Sequence, residues 1–505
     1  MDALLFVSGV ISQTLRCYYH RGRNDSAANK DEHKEYFDKI IFLDSNEKNL
    51  IRMTAPIIAN RSSETANKFY SIFFTRYPQY KELFSLHSST SGDSPVYNEH
   101  MTAVTKCPIA YASNVQRNVS GSQIRAMAKT IITFLTSLFN ETGSDYCNMI
   151  EKIANKHVSH HITHEMYPHL SECLLSAIYD ILDEVALPRI RTVWNRAFWS
   201  LAQQLMQRED SIIAHSVTHN HGWVGFRPFI TKKHIESESV CSIYLTPVDN
   251  QIPLPVFLPG QYVTIRIRSC ENNIIYRNYS LSGPPGKEYF RISVKRIHGG
   301  EASCFIHDRL ISGDIIDVSI PCGTFTLDPN MSPSTIPDEI IFISAGIGIS
   351  PLISMLSSIT DSYISHSFNA IDDIAQKSWN NCKILFLHAA KNKRHDAFTS
   401  YLHQVASLFP HNLSVHTVYS QPRPNIDLIG RDYDTAGHID ADLLQNLFLG
   451  KTNKSGGSKF IYISAPDLLS KEIIQFLTAK LGISPVCIQV ERFAPGTFDL
   501  TVPNI

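Results

Sequence analysis

"ISAGIGISPLISML", Ile343 to Leu356, is the stretch on which the fold reading turns. Its first residues end an apolar run, Gly346 and Gly348 make a tight turn, and a helix-like pattern opens behind them. A strand, a glycine turn and a helix in that order bring backbone N–H groups and the positive helix end up to a diphosphate. A G-x-G alone is a common surface turn, so the surroundings must carry the reading. They do: "EIIFISAG", "KILFLHAA", "LSVHTVYS", "KFIYISAP" and "VCIQVERF" are continuous apolar runs, most of them separated by helical stretches. Strands covered on both faces look like this, which predicts a doubly wound α/β sheet over residues 338–505. Gly346, Gly348, Ser350 and Pro351 are the expected nucleotide-binding residues.

Upstream of the proline-rich "DPNMSPSTIPDE" the texture differs. "YVTIRIRS" sets Val263, Ile265 and Ile267 on one side and Thr264, Arg266 and Arg268 on the other; "FRISVKRI" alternates in the same way. This predicts a small antiparallel β-barrel over 222–330. "YRNYSLSG" offers Arg277, a forked cation for a pyrophosphate, Tyr279, a ring able to pack on a flavin, and Ser280, a hydroxyl for a phosphate or sugar chain. "VKRIHGGEAS" supplies a second phosphate-suited turn at Gly299, Gly300 and Ser303. Tyr262, Asn278 and Lys295 complete the expected set on these strands.

From about Leu43 to residue 215 the pattern is helical. "ETANKFYSIFFTRYP" stacks Phe69, Phe73 and Tyr77 on one stripe, and "CNMIEKIANKH" puts Ile150, Ile153, Ala154 and His157 on one face. In "KHVSHHITHEMYPH", His157, His160, His161 and His164 fall at i, i+3, i+4 and i+7. That spacing fits a metal-binding helix face, but taken alone a polar helix end rich in histidine is the commoner case.

The pairing of R-x-Y-S with a later G-x-x-S resembles the ferredoxin–NADP reductase family, which grips FAD with those elements and ends on an acidic-x-aromatic pair, here Glu491 and Phe493. With a globin-like helical part ahead of it, the whole chain from about Leu43 to Pro495 resembles a flavohaemoglobin. The resemblance implies a multidomain chain: an all-α globin haem domain (43–215), an antiparallel β-barrel FAD domain (222–330) and a doubly wound NAD(P)-binding domain (338–505), behind an extension at 1–42. It implies haem b, FAD and NAD(P)H as cofactors. His157 becomes the proximal iron ligand, backed by Tyr167 and Glu209; Tyr70 and His100 fall at the distal side, with Phe84 and Val104 against the haem. Lys156 matches a family lysine near the flavin, paired with Glu491. Trp194 and Tyr111 are assigned to packing. His160 and His161 fall near the haem edge, and Thr163 is expected to cap the next helix.

The implied activity is nitric oxide dioxygenation: electrons pass from NAD(P)H through FAD to haem iron, and dioxygen and nitric oxide leave as nitrate. A haem-based gas sensor and a flavin reductase for another acceptor are the competing expectations. The chain departs from the family at Ser464-Ala465-Pro466, where a Cys-Gly-Pro is usual, at Ser350 for Thr, and at Ala494 for Gly. Lys391, Lys393 and Arg394 are placed to meet a 2′-phosphate, or form a solvated loop.

Composition bounds the rest. The 505 residues call for about three domains, and 43% hydrophobic against 18% charged residues describes a chain with ample core. A net charge of −1 gives no field for nucleic acid or anionic membranes. Ten cysteines without a C-x-x-C argue against a zinc ribbon or a disulfide framework. A cytoplasmic monomer is expected, with residues 1–23 a loose extension or an organelle-targeting segment.

Overall fold

The computed structural model describes residues 41–80, 144–219, 222–249, 251–268, 274–329, 331, 334–366, 379, 381–449 and 458–491. Its helical unit comprises α1 (Ser45–Asn60), α2 (Ser62–Arg76), α3 (Ser144–Ser159), α4 (Tyr167–Leu182) and α5 (Pro188–His219). Asp44 opens α1 with a capping box: its carboxylate accepts the Asn46 and Glu47 N–H groups at 2.8 Å, and Glu47 accepts the Asp44 N–H at 3.0 Å. The apolar stripes of α1, α4 and α5 meet in a core of Ile51, Ile58, Ile178, Ile181 and Trp194. Trp194 packs there as expected and donates its indole N–H to Thr54 Oγ1 at 3.1 Å. A second cluster joins Met149 and Ile153 of α3 to Tyr167, Trp199 and Met206.

The histidine-rich stretch is not one helix. α3 ends at Ser159, His161 takes a left-handed φ of 56°, and the Ile162 N–H turns back to the His157 carbonyl at 2.9 Å. Thr163 does precede the following single turn, which runs straight into α4, but its side chain makes no capping bond.

The barrel runs β1 (Phe226–Ile235), β2 (Val240–Pro247), β3 (Tyr262–Arg268), β4 (Ile274–Ser280), β5 (Phe290–Lys295), α6 (Glu301–Asp308) and β6 (Ile315–Ser319). Its strands are antiparallel in the order β4-β3-β6-β1-β2-β5, and a Leu281–Ile292 bridge closes the ring. Val263, Ile265, Ile267, Phe290, Ile292 and Val294 fill it, as their alternation predicts.

The last unit is a parallel sheet in the order β10-β9-β8-β7-β11-β12. Its elements are β7 (Glu339–Ala345), α7 (Ile349–His366), β8 (Lys383–Ala390), α8 (Thr399–Leu408), β9 (Leu413–Tyr419), β10 (Thr435–Ala436), α9 (Ala441–Leu449), β11 (Lys459–Ser464), α10 (Asp467–Ala479) and β12 (Ile488–Glu491). Strand order reverses between β7 and β11, so the ligand crevice of such a sheet opens there, at Gly346 and Ser464. Among the described residues no helix is long and apolar enough to cross a membrane.

Barrel and sheet interlock tightly. Ser354 on α7 donates to the Gly283 carbonyl at 2.7 Å, fully buried. Gly260, at φ +98°, leaves no room for a side chain: a Cβ there would lie 2.1 Å from the Phe325 carbonyl oxygen and 2.5 Å from the Met355 methyl. Gly260→Ala is expected to cost about 2 kcal/mol or more through strain and overpacking, seen as a lower melting temperature of the reductase half.

Candidate active site

Two side chains from two further helices meet behind His157. α3 presents His157 at its C-terminal turn, α4 opens on Tyr167, and α5 brings Glu209 across both. Glu209 Oε1 lies 2.7 Å from His157 Nδ1 and accepts the Tyr167 hydroxyl at 2.5 Å; Tyr167 Oη is 3.1 Å from the same His157 nitrogen. Glu209 is 1% exposed, so its buried oxygen needs donors from the protein, and His157 and Tyr167 both stand within hydrogen-bond distance of it. Burial, then the nearby carboxylate, drives the Tyr167 phenol well above its ordinary pKa and keeps it a donor. A carboxylate acceptor on Nδ1 puts the imidazole proton there and leaves Nε2 with its lone pair. A neutral imidazole with an anion behind it is the donor set that suits haem iron.

The other histidines do not join His157. His164 Nε2 lies 3.3 Å from Asp210 and 3.9 Å from the second Glu209 oxygen, at the rim of the group and not on His157, and His169 packs on Tyr77 with ring centres 4.2 Å apart. His160 and His161, expected near a haem edge, face the barrel: His160 stacks on Tyr276 at 6.1 Å, and the His161 ring lies against Gly225. Burial, then the charge of Lys156, holds His160 far below its ordinary pKa, so it is neutral. Among the described residues no group of three or more His, Cys, Asp or Glu forms a metal cluster.

On the other side of the helical unit Tyr70 is buried between Phe69 and Phe74, with ring centres 5.2 and 5.5 Å away. Burial raises its phenol well above the ordinary value, so it remains an O–H donor. Phe84, His100, Val104 and Tyr111 lie outside the described residues, as does Phe493.

The end of α3 is also the bridge to the barrel. Asn155 Oδ1 accepts the Gly323 N–H at 2.9 Å. Burial and then the charge of Arg277 lower the Lys156 ammonium to about 8, while Glu491 acts the other way.

In the barrel, Arg277 and Tyr279 occupy alternate positions of β4 opposite the core residues Ile265 and Val263; Asn278 and Ser280 take the intervening positions, opposite Thr264 and Tyr262. The Arg277 guanidinium loses hydration at the barrel mouth, which lowers its pKa and favours an anionic ligand. Asn278 is engaged with Thr264 at 3.0 Å. Ser303 is spent within its own turn: its hydroxyl accepts the Ile297 N–H at 3.2 Å. A Cβ on Gly300 would meet that oxygen at 2.7 Å, so Gly300 and Ser303 build the entry to α6 together.

In the sheet, Gly346 turns with φ +55°, and a Cβ there would lie 3.5 Å from Lys295 Nζ, which reaches over from β5. Gly348 is needed for packing as much as for phosphate: its Cβ would lie 2.0 Å from the Ser464 carbonyl oxygen. Two buried hydroxyls at the crevice, Ser350 and Ser464, have no hydrogen-bond partner among the described residues. Unsatisfied buried polar atoms at a switch point suit a polar ligand such as a nicotinamide nucleotide. The sequence pointed to Ser464 only as a departure from the family; its orphaned hydroxyl is what places it in the crevice.

Two family models match, "Globin" over residues 110–205 and "Oxidoreductase FAD-binding domain" over residues 230–327. A flavohemoprotein of Xylella fastidiosa is 31% identical over 424 residues, spanning 82% of this chain and 97% of that protein.

The chain belongs to the flavohemoprotein family.

A Bacillus subtilis flavohemoprotein is 29% identical and spans 90% of the chain and 98% of its own length. The crystal structure of a Malassezia yamatoensis flavohemoglobin, described with bound FAD and heme, shares the fold at a TM-score of 0.67 and 20% identity, covering 90% of this chain and all of that one. The cofactors of this flavohemoprotein are haem, FAD and NAD(P)H, and its architecture is a globin joined to a reductase. Glu209→Gln should keep the fold but raise the haem midpoint potential in spectroelectrochemistry, because the anion behind His157 is gone. Glu209→Leu should cost about 1–3 kcal/mol for each buried donor it strands, and lower the melting temperature of the helical unit accordingly.

Proposed function

We propose that the protein is an NAD(P)H-dependent nitric oxide dioxygenase: two nitric oxide and two dioxygen molecules with one NAD(P)H give two nitrates, NAD(P)+ and a proton. The observation that carries this reading is the His157–Glu209–Tyr167 group, set on a helix end that docks on the flavin-type barrel through Asn155 and Lys156. When bound, the haem supplies iron redox chemistry between dioxygen and nitric oxide, and the flavin divides a hydride into single electrons. The rest is placement by the chain's own residues.

Glu209 pulls the Nδ1 proton of His157 toward itself and makes Nε2 a stronger donor to iron. An electron-rich ligand of this kind favours activating dioxygen over storing it, which separates the reading from a gas sensor. Tyr70 keeps a protonated hydroxyl in an apolar wall, suited to donate to a polar diatomic, with His100 proposed beside it and Phe84 and Val104 against the macrocycle. Arg277, Tyr279 and Ser280, with Tyr262, Asn278, Lys295, Gly300 and Phe493, are proposed to hold FAD, and Ser303 to shape the turn beside it through its own hydrogen bonds. Gly346, Gly348, Ser350 and Pro351 are proposed to take the nucleotide diphosphate and nicotinamide. The proposed domain limits are 43–215, 222–330 and 338–505. A cytoplasmic setting is proposed with them.

Anaerobic NAD(P)H should bleach the flavin and reduce the haem, and aerobic protein should consume nitric oxide and release nitrate in proportion to nucleotide oxidised. His157→Ala should abolish nitric oxide consumption while ferricyanide reduction by NAD(P)H continues. Undiminished consumption in that variant would overturn the haem mechanism; haem binding without flavin reduction would favour the sensor.

A further inference from the structure

We infer that the nucleotide is NADH, and that Asp432, by clamping Lys393, is a specificity-determining residue; the inference rests on the dioxygenase reading above. The nicotinamide half must reach the flavin barrel, on the side of the crevice where Ser350 and Ser464 stand and Ser354 touches Gly283. With its diphosphate at Gly346, the adenosine half then runs the other way, across the C-terminal ends of β8 and β9. A 2′-phosphate would need uncommitted cations there, whereas a 2′-hydroxyl needs a carboxylate.

Five cations stand at or beyond those strand ends, and four of them are committed. Lys393 Nζ lies 2.7 Å from Asp432, and Arg431 grips the same carboxylate at 2.6 Å. Arg423 forks onto Asp427 at 2.8 Å, and Arg394 pairs with Glu238. The carboxylates of Asp427 and Asp432 are 0% and 5% exposed. Each is further pinned by a backbone N–H, Arg423 to Asp427 at 2.7 Å and Leu428 to Asp432 at 2.9 Å, so the acids are built in rather than swinging. Their arginine partners lower both, Asp432 to well below the usual carboxylate range, so they are charged at neutral pH. A fourth acid, Asp396, is buried beneath them, accepting the Tyr419 hydroxyl at 2.9 Å and lying 3.3 Å from His388 Nε2. Lys391, exposed directly after β8, is the single cation of this region with no acidic partner among the described residues. An incoming 2′-phosphate would therefore meet Asp427 and Asp432 across cations already neutralised, and like charges brought together disfavour the wrong partner.

The test is kcat/KM of the purified holoprotein for NADH and for NADPH, with ferricyanide as acceptor. The wild type should favour NADH by about tenfold or more. Asp432→Asn, which keeps an acceptor for the Leu428 N–H while releasing Lys393 and Arg431, should raise the NADPH-to-NADH ratio about three- to tenfold. Lys393→Ala should leave that ratio within about twofold, because the wild-type lysine is occupied. A wild-type preference for NADPH, or a Lys393→Ala ratio that falls sharply, overturns the inference and leaves the dioxygenase reading standing. Reduction by neither nucleotide overturns both. Because the ratio compares two substrates on one protein, a general loss of folding does not imitate it.

Discussion

One buried carboxylate organises the helical half. Glu209 has no solvent to stabilise its charge, so α3, α4 and α5 must cross where His157 and Tyr167 can both donate to it. That requirement sets the imidazole's tautomer, its orientation and the depth of α5 against α3. It also explains a pattern that side-chain spacing alone misreads. A helix continued through "KHVSHHITH" would stack four histidines on one face, but the left-handed turn at His161 ends it. The chain then starts again so that Tyr167 donates to the same carboxylate oxygen as His157, while His164 comes only within 3.9 Å of the other oxygen.

The fold was legible wherever burial imposes a period. Alternation in "YVTIRIRS" and "FRISVKRI" marked the barrel wall, and unbroken apolar runs marked strands covered on both faces. His157 was legible because it continues the stripe of Ile153 and Ala154. Tyr167 and Glu209 were not legible from spacing: they sit ten and fifty-two positions away from His157, and only the family resemblance tied them to it. The fates of His160, His161 and Ser303 were hidden for the same reason. Each answers to a partner brought in by tertiary packing: a tyrosine of the barrel, a glycine of the connecting segment, and a turn that closes on itself. The pairing of Lys393 with Asp432 belongs to this class as well, since a charge run does not announce its counter-ions.

The reductase half applies a different constraint. Its glycines answer to steric exclusion more than to phosphate: Gly348 lies against the backbone of Ser464 and Gly260 against that of Phe325. The crevice is thus shaped by close backbone approach, and its chemistry is then supplied by a few hydroxyls and charges placed on a rigid rim.

Asn155, Lys156 and His157 lie in the last turns of α3 and His160 is the first residue beyond it; Asn155, His157 and His160 each meet a different neighbour. One inserted or deleted residue in α3 ahead of them would rotate the whole set by about 100°. It would turn the imidazole from its carboxylate in the same motion that undocks the barrel. Haem ligation and the junction between globin and reductase therefore share one helical register, and in evolution neither module can slip along that helix without the other.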